Sequence, residues 1–141
     1  VLTSNGATAG DIGYINEAGL LCIVGRKNNM IIRGGQNVYP EEVEALLKEF
    51  PFVEDAVVVG NDDAYWGEQI IALVQWSVAV RDERHYVSQL RRHCRKYLAT
   101  YKRPHTYVTV AKFPYTTSGK IDREKARTLI GSENYEYTSN R

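Results

Sequence analysis

Two stretches rich in valine and isoleucine, residues 53–59 and 70–78, constrain the fold of this chain most strongly. Branched side chains of this kind favour extended backbone, because they pack well on a pleated surface. The polar segment between them, residues 60–68, is predicted to be a loop. The sequence therefore predicts two paired strands at the centre of the hydrophobic core.

Two helices are predicted to flank these strands. Pro40 can begin the first helix, with Glu41 and Glu42 in its first turn, because an N-terminal proline loses no hydrogen bond and acidic groups are favoured near the positive end of the helix dipole. The second helix is predicted over residues 84–98. In both segments the apolar residues recur at steps of three or four; these are Val43, Leu46, Leu47 and Phe50 in the first, and Val87, Leu90, Cys94 and Leu98 in the second.

Shorter elements complete the predicted architecture. Residues 13–16 and 20–24 are expected to pair as a β-ribbon, and residues 29–33 and 107–110 are expected to be short strands. Asp122 can cap a last helix, which would bury Ala126, Leu129 and Ile130. The prediction is a small α+β domain, with a two-stranded β-ribbon and a roughly three-stranded sheet packed with helices.

Composition limits the class of protein. The net charge is +1, so no strong field favours nucleic acid or an anionic membrane as a partner. No apolar run approaches the roughly 18 residues of a membrane-spanning helix, and two cysteines give no disulfide framework, which favours a cytoplasmic setting. The histidines and cysteines lack the spacing of metal ligands, and Cys94 is predicted to be buried.

Residues 114–123 read Pro-Tyr-Thr-Thr-Ser-Gly-Lys-Ile-Asp-Arg and place Lys120 on a turn of small residues. Such a turn lets an ammonium group approach a phosphate or carboxylate closely. A Walker-type phosphate loop does not fit, because Pro114 replaces its first glycine and Ile121 replaces its magnesium-binding hydroxyl. The segment resembles the catalytic-lysine loop of adenylate-forming enzymes, the acyl-CoA synthetase superfamily.

A second, longer segment strengthens this resemblance. Residues 25–44, which read GRKNNMIIRGGQNVYPEEVE, resemble the hinge motif of that superfamily. Residues 9–13 resemble its ribose-binding motif, with Ala9 in place of the usual threonine, and residues 98–104 follow in the order typical of the family. The resemblance extends over roughly residues 9–130.

The resemblance also implies a division of the chain. Residues 1–10 are expected to be the remnant of an N-terminal domain or its linker, residues 11–130 the C-terminal lid domain, and residues 131–141 a flexible tail. The large N-terminal domain of such enzymes holds the acyl pocket and most of the ATP site. It is the expected partner of this domain, which is predicted to be inactive without it.

The activity implied by the resemblance is that of an acid–thiol ligase. A carboxylic acid, expected to be a fatty acid, attacks the α-phosphate of ATP to give acyl-AMP, and the thiol of coenzyme A then displaces AMP after the domain rotates. Lys120 would stabilise the first transition state. Asp11 would bind the ribose and Arg26 the nucleotide, while Asn28 would be the hinge, where the family usually has Asp or Lys.

The resemblance assigns coenzyme A to two further segments. Gly34 and Gly35 would line the pantetheine tunnel, and Tyr101, Lys102 and Arg103 would meet the nucleotide end of coenzyme A. The Mg²⁺ that accompanies ATP is expected to have its ligands in the N-terminal domain. Three alternatives remain open: a peptide-synthetase adenylation domain, an aryl-CoA ligase of the succinylbenzoate type, and a non-catalytic relative.

Overall fold

The computed structural model describes residues 11–15, 17–19, 21–26, 29–63, 67–77, 82–130 and 135–138. Within these residues, eight strands follow one another: β1 (Asp11–Ile15), β2 (Leu21–Arg26), β3 (Ile31–Arg33), β4 (Gln36–Val38), β5 (Val53–Asp63), β6 (Gly67–Trp76), β7 (Thr106–Val110) and β8 (Tyr135–Thr138). Three α-helices and one 3-10 turn lie between them: α1 (Pro40–Glu49), α2 (Glu83–Tyr97), the 3-10 turn Thr100–Lys102 and α3 (Arg123–Arg127).

The strands form two sheets. β1 and β2 make an antiparallel ribbon, and the other six strands form one sheet in which the antiparallel β5–β6 hairpin is the longest pairing. β7 runs parallel to β6 along its other edge, and β8 pairs with β7. β3 and β4 form a short hairpin that joins β6 where Arg33 pairs with Gly67. The α+β class is confirmed, and β5, β6 and β7 form the central part of the larger sheet.

Alternate side chains of the central strands point to two separate cores. On one face, Ala56, Val58, Ile70, Ala72 and Val74 pack with the buried residues of α1 and α2. On the other face, residues from β5, β6 and β7 pack with Phe113 and with Ala126 of α3. This two-residue period places α1 and α2 on one side of the sheet, and α3 with the segment before it on the other.

The helix predictions agree with the structure to within one residue at each end of α2. In α1, Val43 and Leu47 are buried, and Leu46 and Phe50 pack partly against the same core. Cys94 is 1% exposed, so its predicted burial is confirmed. Asp122 caps α3 by accepting a hydrogen bond from the Lys125 N–H at 3.1 Å.

One prediction about an irregular segment is wrong. The polar segment 60–68 is predicted to be a loop, but β5 continues to Asp63 and β6 begins at Gly67. Pairing along the hairpin stabilises these polar residues in extended backbone, despite their low strand propensity. The sequence did not predict β8, which pairs with the edge of β7 within the segment expected to be a flexible tail; the flexibility of that tail stays a prediction.

Candidate functional site

Lys120 lies exposed on a closed turn between β7 and α3. Tyr115 pairs with Ile121 across the base of the turn. The Thr116 N–H donates to the Lys120 carbonyl at 2.7 Å, and the Gly119 N–H donates back to the Thr116 carbonyl at 3.0 Å. Gly119 has a φ of 86°, a conformation that favours glycine. The turn therefore presents the lysine to solvent from a backbone held by its own hydrogen bonds.

Both ends of the Lys120 turn are anchored to the sheet. On the N-terminal side, Phe113 is 1% exposed, and its N–H donates to Gln75 Oε1 at 2.9 Å. On the C-terminal side, the Asp122 N–H donates to the Pro114 carbonyl at 2.9 Å, directly before α3 begins. The exposed Lys120 side chain is thus carried on a backbone that is fixed to the sheet at both ends.

Gly34 and Gly35 form the two-residue turn between β3 and β4. Their φ angles are 54° and 79°, so both positions have the left-handed backbone that a tight hairpin turn of this kind requires. Both are exposed, and a Cβ added at Gly35 would meet nothing within 4 Å. The turn offers bare backbone that a slim ligand could approach closely.

Glu68 fixes this hairpin to the main sheet. Its Oε2 accepts the Ile32 N–H at 2.8 Å, and its carbonyl oxygen accepts a hydrogen bond from Arg33 Nη1 at 2.8 Å. Both bonds join β3 to the start of β6, where the strand ladder itself supplies only the Arg33–Gly67 pairing. The position of the Gly34–Gly35 turn therefore depends on Glu68, to which the sequence analysis assigned no role.

The 3-10 turn that carries Tyr101 and Lys102 lies against β4, which begins directly after Gly35. Lys102 Nζ donates to Glu42 Oε1 at 3.0 Å and lies 5.7 Å from the centre of the Tyr101 ring. Burial alone would lower the pKa of Lys102, but the hydrogen bond and charge of Glu42 outweigh it and raise that pKa above its ordinary value. Two of the three coenzyme A candidates of this segment are thus gathered beside the start of α1.

Arg103 is engaged in holding the end of α2. Its Nε donates to the Leu98 carbonyl and its Nη2 to the Arg95 carbonyl, each at 3.0 Å. Carbonyls at a helix C-terminus lack partners within the helix, and a cation there is also favoured by the helix dipole. Its guanidinium therefore has a clear structural task, separate from any contact with coenzyme A.

The nucleotide candidates lie on the ribbon. Asp11 begins β1 and Arg26 ends β2, and the two are directly paired in the strand register. The structure thus brings together two positions that are 15 residues apart in the sequence. Asn28, the hinge candidate, lies outside the described residues.

These candidates form two groups on different sides of the central sheet. Lys120 belongs to the face covered by Phe113 and α3, whereas Lys102 and Tyr101 lie beside α1, which covers the opposite face. The resemblance assigns Lys120 to the first half-reaction and the groups beside α1 to the second, so the two sets of expected roles fall on different sides of the sheet. Sequence spacing did not reveal the ion pair between the buried Glu44 and the partly buried Arg123, which joins α1 to α3 at 2.7 Å. The signal available in the sequence was the charged Glu44, which lies between Val43 and the apolar positions that follow in α1.

Two features of the described part of the chain concern metal binding and membrane spanning. Within it, no group of three or more His, Cys, Asp or Glu is placed to hold a metal ion. No helix in the same residues is both long and apolar enough to cross a bilayer.

Comparison with known proteins places the chain in a family. The family described as "AMP-binding enzyme C-terminal domain" matches residues 42–120. An uncharacterized acyl–CoA ligase of Bacillus subtilis, YhfT, is 41% identical over 123 residues, which is 87% of this chain and 24% of the relative. The 2-succinylbenzoate–CoA ligase of Listeria monocytogenes is 39% identical over 118 residues, 84% of this chain and 24% of that protein.

A solved structure gives the same result for the fold. The o-succinylbenzoate CoA synthetase of Bacillus subtilis, in complex with its acyl-adenylate intermediate, superimposes with a TM-score of 0.75 at 32% identity. That match covers 85% of this chain and 24% of the solved one. The chain thus spans about a quarter of the length of the relatives it matches. It belongs to the family of AMP-binding enzyme C-terminal domains, found in the AMP-forming acyl–CoA ligases.

Proposed function

We propose that this chain is the mobile C-terminal domain of an ATP-dependent acid–thiol ligase. The observation that carries the proposal is the separation of the candidate groups. Lys120 lies on the α3 side of the sheet, and the Gly34–Gly35 turn with Tyr101 and Lys102 lies towards α1. One domain can present both groups in turn to a single reacting centre if it rotates between two half-reactions.

The first half-reaction uses Lys120. A carboxylate oxygen of the acid bonds to the α-phosphorus of ATP, the bond to the pyrophosphate breaks, and acyl-AMP forms. An ammonium aimed at the oxygens between the two reactants stabilises the charge that gathers there. Asp11 and Arg26, at one end of the ribbon, would hold the ribose and the nucleotide. Asn28 would be the hinge.

The second half-reaction uses the opposite group. The thiol sulfur of coenzyme A gives up its proton and bonds to the acyl carbon, the bond from that carbon to the phosphate oxygen breaks, and AMP leaves with the electron pair of that bond. The Gly34–Gly35 backbone would line the path of the pantetheine arm, while Tyr101 and Lys102 would meet the nucleotide end. The Mg²⁺ that accompanies ATP would have its ligands in the N-terminal domain of the longer protein.

For the acid, we propose an aryl substrate of the succinylbenzoate type, ahead of a fatty acid. Two of the relatives above act on succinylbenzoate according to their names, at 39% and 32% identity. The acyl pocket would lie in the N-terminal domain of the longer protein. The choice between the two acids therefore rests on the relatives and is decided by assay.

The test uses the longer protein that carries this domain, as wild type, as Lys120→Ala and as Lys125→Ala. Lys125 is an exposed lysine of α3 and serves as the matched control. Pyrophosphate release is measured with 2-succinylbenzoate, other aryl acids and fatty acids, and thioester formation is measured from synthetic acyl-AMP. Loss of one electrostatic contact of this kind raises the activation free energy by about 3 kcal/mol, which lowers the rate more than a hundredfold.

Lys120→Ala is expected to lose adenylation by that factor and to retain thioester formation, while Lys125→Ala behaves as wild type. Equal loss of both half-reactions in Lys120→Ala would contradict the assigned role. If no acid supports pyrophosphate release in the wild type, the non-catalytic alternative is correct. Adenylation without any thioester would instead favour a carrier-protein acceptor, as in peptide synthetases.

A further inference from the structure

Glu44 is a buried carboxylate on the face of α1 that packs against the sheet. The residue is 6% exposed, and both of its oxygens are bonded. Oε2 accepts the Val58 N–H of β5 at 2.8 Å, and Oε1 lies 2.7 Å from Arg123 Nη2. A charge with so little exposure is costly unless it is paired and hydrogen-bonded, and here it is both.

Arg123 closes the same network from the other side. Its Nη1 donates to the Val58 carbonyl at 3.2 Å, so the two side chains together bond both backbone polar groups of Val58. Glu44 belongs to α1 and Arg123 is the first residue of α3. The pair thus links two helices that cover opposite faces of the sheet through one residue of the strand between them.

The link lies at an edge of the sheet. Within the described part of the chain, β5 pairs with β6 alone, so its outer edge has no strand partner there. Arg127 of α3 extends the contact, since its Nη1 donates to the Gly60 carbonyl. α3 is therefore held along the edge of β5 through the backbone carbonyls of Val58 and Gly60. The two arginines that bind them lie one helical turn apart.

This anchor is close to the Lys120 turn. Arg123 follows Lys120 by three residues, and the intervening Asp122 closes the turn through its bond to the Pro114 carbonyl. Displacement of the first turn of α3 would therefore change the position and direction of the Lys120 side chain. Misplacement of a catalytic group by about 1 Å can cost about a hundredfold in rate.

We propose that Glu44 and Arg123 are positioning residues. By anchoring α3 to β5, they fix the orientation of the Lys120 turn. The proposal rests on the role proposed above for Lys120. It assigns the pair to the adenylation step alone, because the Gly34–Gly35 turn is held separately, through Glu68 and β6. A purely structural pair would affect both half-reactions equally.

The test compares Arg123→Ala, Arg123→Lys and Glu44→Gln with Lys48→Ala in the longer protein. Lys48 is the matched control, because it also joins α1 to β5, at 3.4 Å from Asp55 Oδ1, and its ion pair is with the strand rather than with α3. Arg123→Ala is expected to reduce adenylation about a hundredfold and to retain thioester formation from acyl-AMP. Arg123→Lys should lose less, in the same step only, because an ammonium cannot reproduce the fork that meets both Val58 and Glu44.

Hydrogen exchange of the same variants gives a readout that is independent of activity. The Thr116 and Asp122 amides close the Lys120 turn, and they are expected to exchange faster in Arg123→Ala and Glu44→Gln than in wild type or Lys48→Ala. If Arg123→Ala does not fold, Arg123→Lys and Glu44→Gln carry the test alone.

Three results would overturn the proposal: equal loss of both half-reactions, adenylation at the wild-type rate in Arg123→Ala and Arg123→Lys, or the same adenylation defect in Lys48→Ala. The outcome for Lys120→Ala separates this proposal from the proposed function. If that variant loses adenylation selectively and the Arg123 variants do not, only the positioning role fails.

Discussion

Asp11 lies directly opposite Arg26 in the antiparallel β1–β2 ribbon, at the end where the chain leaves β2 towards residues 27–28. Pairing of this kind brings the two backbone positions next to each other. A neighbouring acidic and basic residue can serve the two parts of a nucleotide, with acceptors for ribose hydroxyls and donors for phosphate. The register therefore supports a common role for two residues that the sequence presents separately.

Asp11→Asn is expected to raise the KM for ATP by at least about tenfold. Hydrogen bonds that involve a charged group contribute about 1.5–3 kcal/mol, and 1.4 kcal/mol corresponds to a factor of ten. The measurement is pyrophosphate exchange at varied ATP in the longer protein. Glu17→Gln, in the exposed turn of the same ribbon, is the control and should leave the KM unchanged. An unchanged KM in Asp11→Asn would contradict the ribose contact proposed for Asp11.

Gly119→Ala and Gly35→Ala form a matched pair that separates the two half-reactions. Both residues have positive φ, 86° and 79°, and an added Cβ meets nothing within 4 Å at either position. Each substitution therefore adds similar backbone strain, about 1–2 kcal/mol, without a clash. Gly119→Ala should slow adenylation, and Gly35→Ala should slow thioester formation from acyl-AMP. If both variants slow the same step, the assignment of the two turns to different steps is wrong.

Arg103→Ala and Tyr101→Ala test which of these residues meets coenzyme A. Arg103→Ala should lower the free energy of unfolding by about 1–3 kcal/mol, because the Leu98 and Arg95 carbonyls each lose a charged donor. Tyr101 is 36% exposed, and its loss should raise the KM for coenzyme A about tenfold through lost stacking, with little change in stability. Urea unfolding and thioester kinetics measure the two effects. A raised KM for coenzyme A with normal stability in Arg103→Ala would indicate that Arg103 contacts coenzyme A.

The parts of the fold that could be predicted from sequence are those determined by local pattern. The steps of three and four between Val87, Leu90 and Cys94 predicted α2 closely, and runs of valine and isoleucine predicted β5 and β6. The ends of those strands were missed, because Asp62 and Asp63 are poor strand formers that pairing with β6 holds in place. β8 was missed for a related reason, since its partner β7 lies 25 residues or more earlier in the chain.

The candidate site likewise has residues that could be predicted from local sequence and residues that could not. Lys120, Gly34 and Gly35 could be predicted as site residues because a motif marks them, and the structure adds the bonds that hold their turns. Glu68 and Arg123 act through partners 36 and 79 residues away, Ile32 and Glu44, so no local spacing could reveal them. Arg103 was assigned from a motif to coenzyme A, which stays a prediction; the structure adds that its Nε and one Nη bind carbonyls at the end of α2.

Glu44 should make stability depend on pH in a particular direction. Burial raises the pKa of its carboxyl above the usual 4.5, although Arg123 and the Val58 N–H act in the opposite sense. Between pH 4.5 and the raised value, the folded state binds more protons than the unfolded state, so its stability falls as the pH rises. This contribution is fully present below pH 4.5, is lost as the pH rises through the folded pKa, and is absent from Glu44→Gln.

Urea unfolding of this chain and of Glu44→Gln, from pH 4 to pH 8, measures the effect as a difference. Relative to the glutamine variant, wild type should lose stability with rising pH, by about 1.4 kcal/mol for each unit by which the pKa is raised. Above the folded pKa the difference should become constant. If wild type instead gains stability relative to Glu44→Gln as the pH rises, the attraction of Arg123 exceeds the cost of burial. The pair would then stabilise the fold as well as position the Lys120 turn.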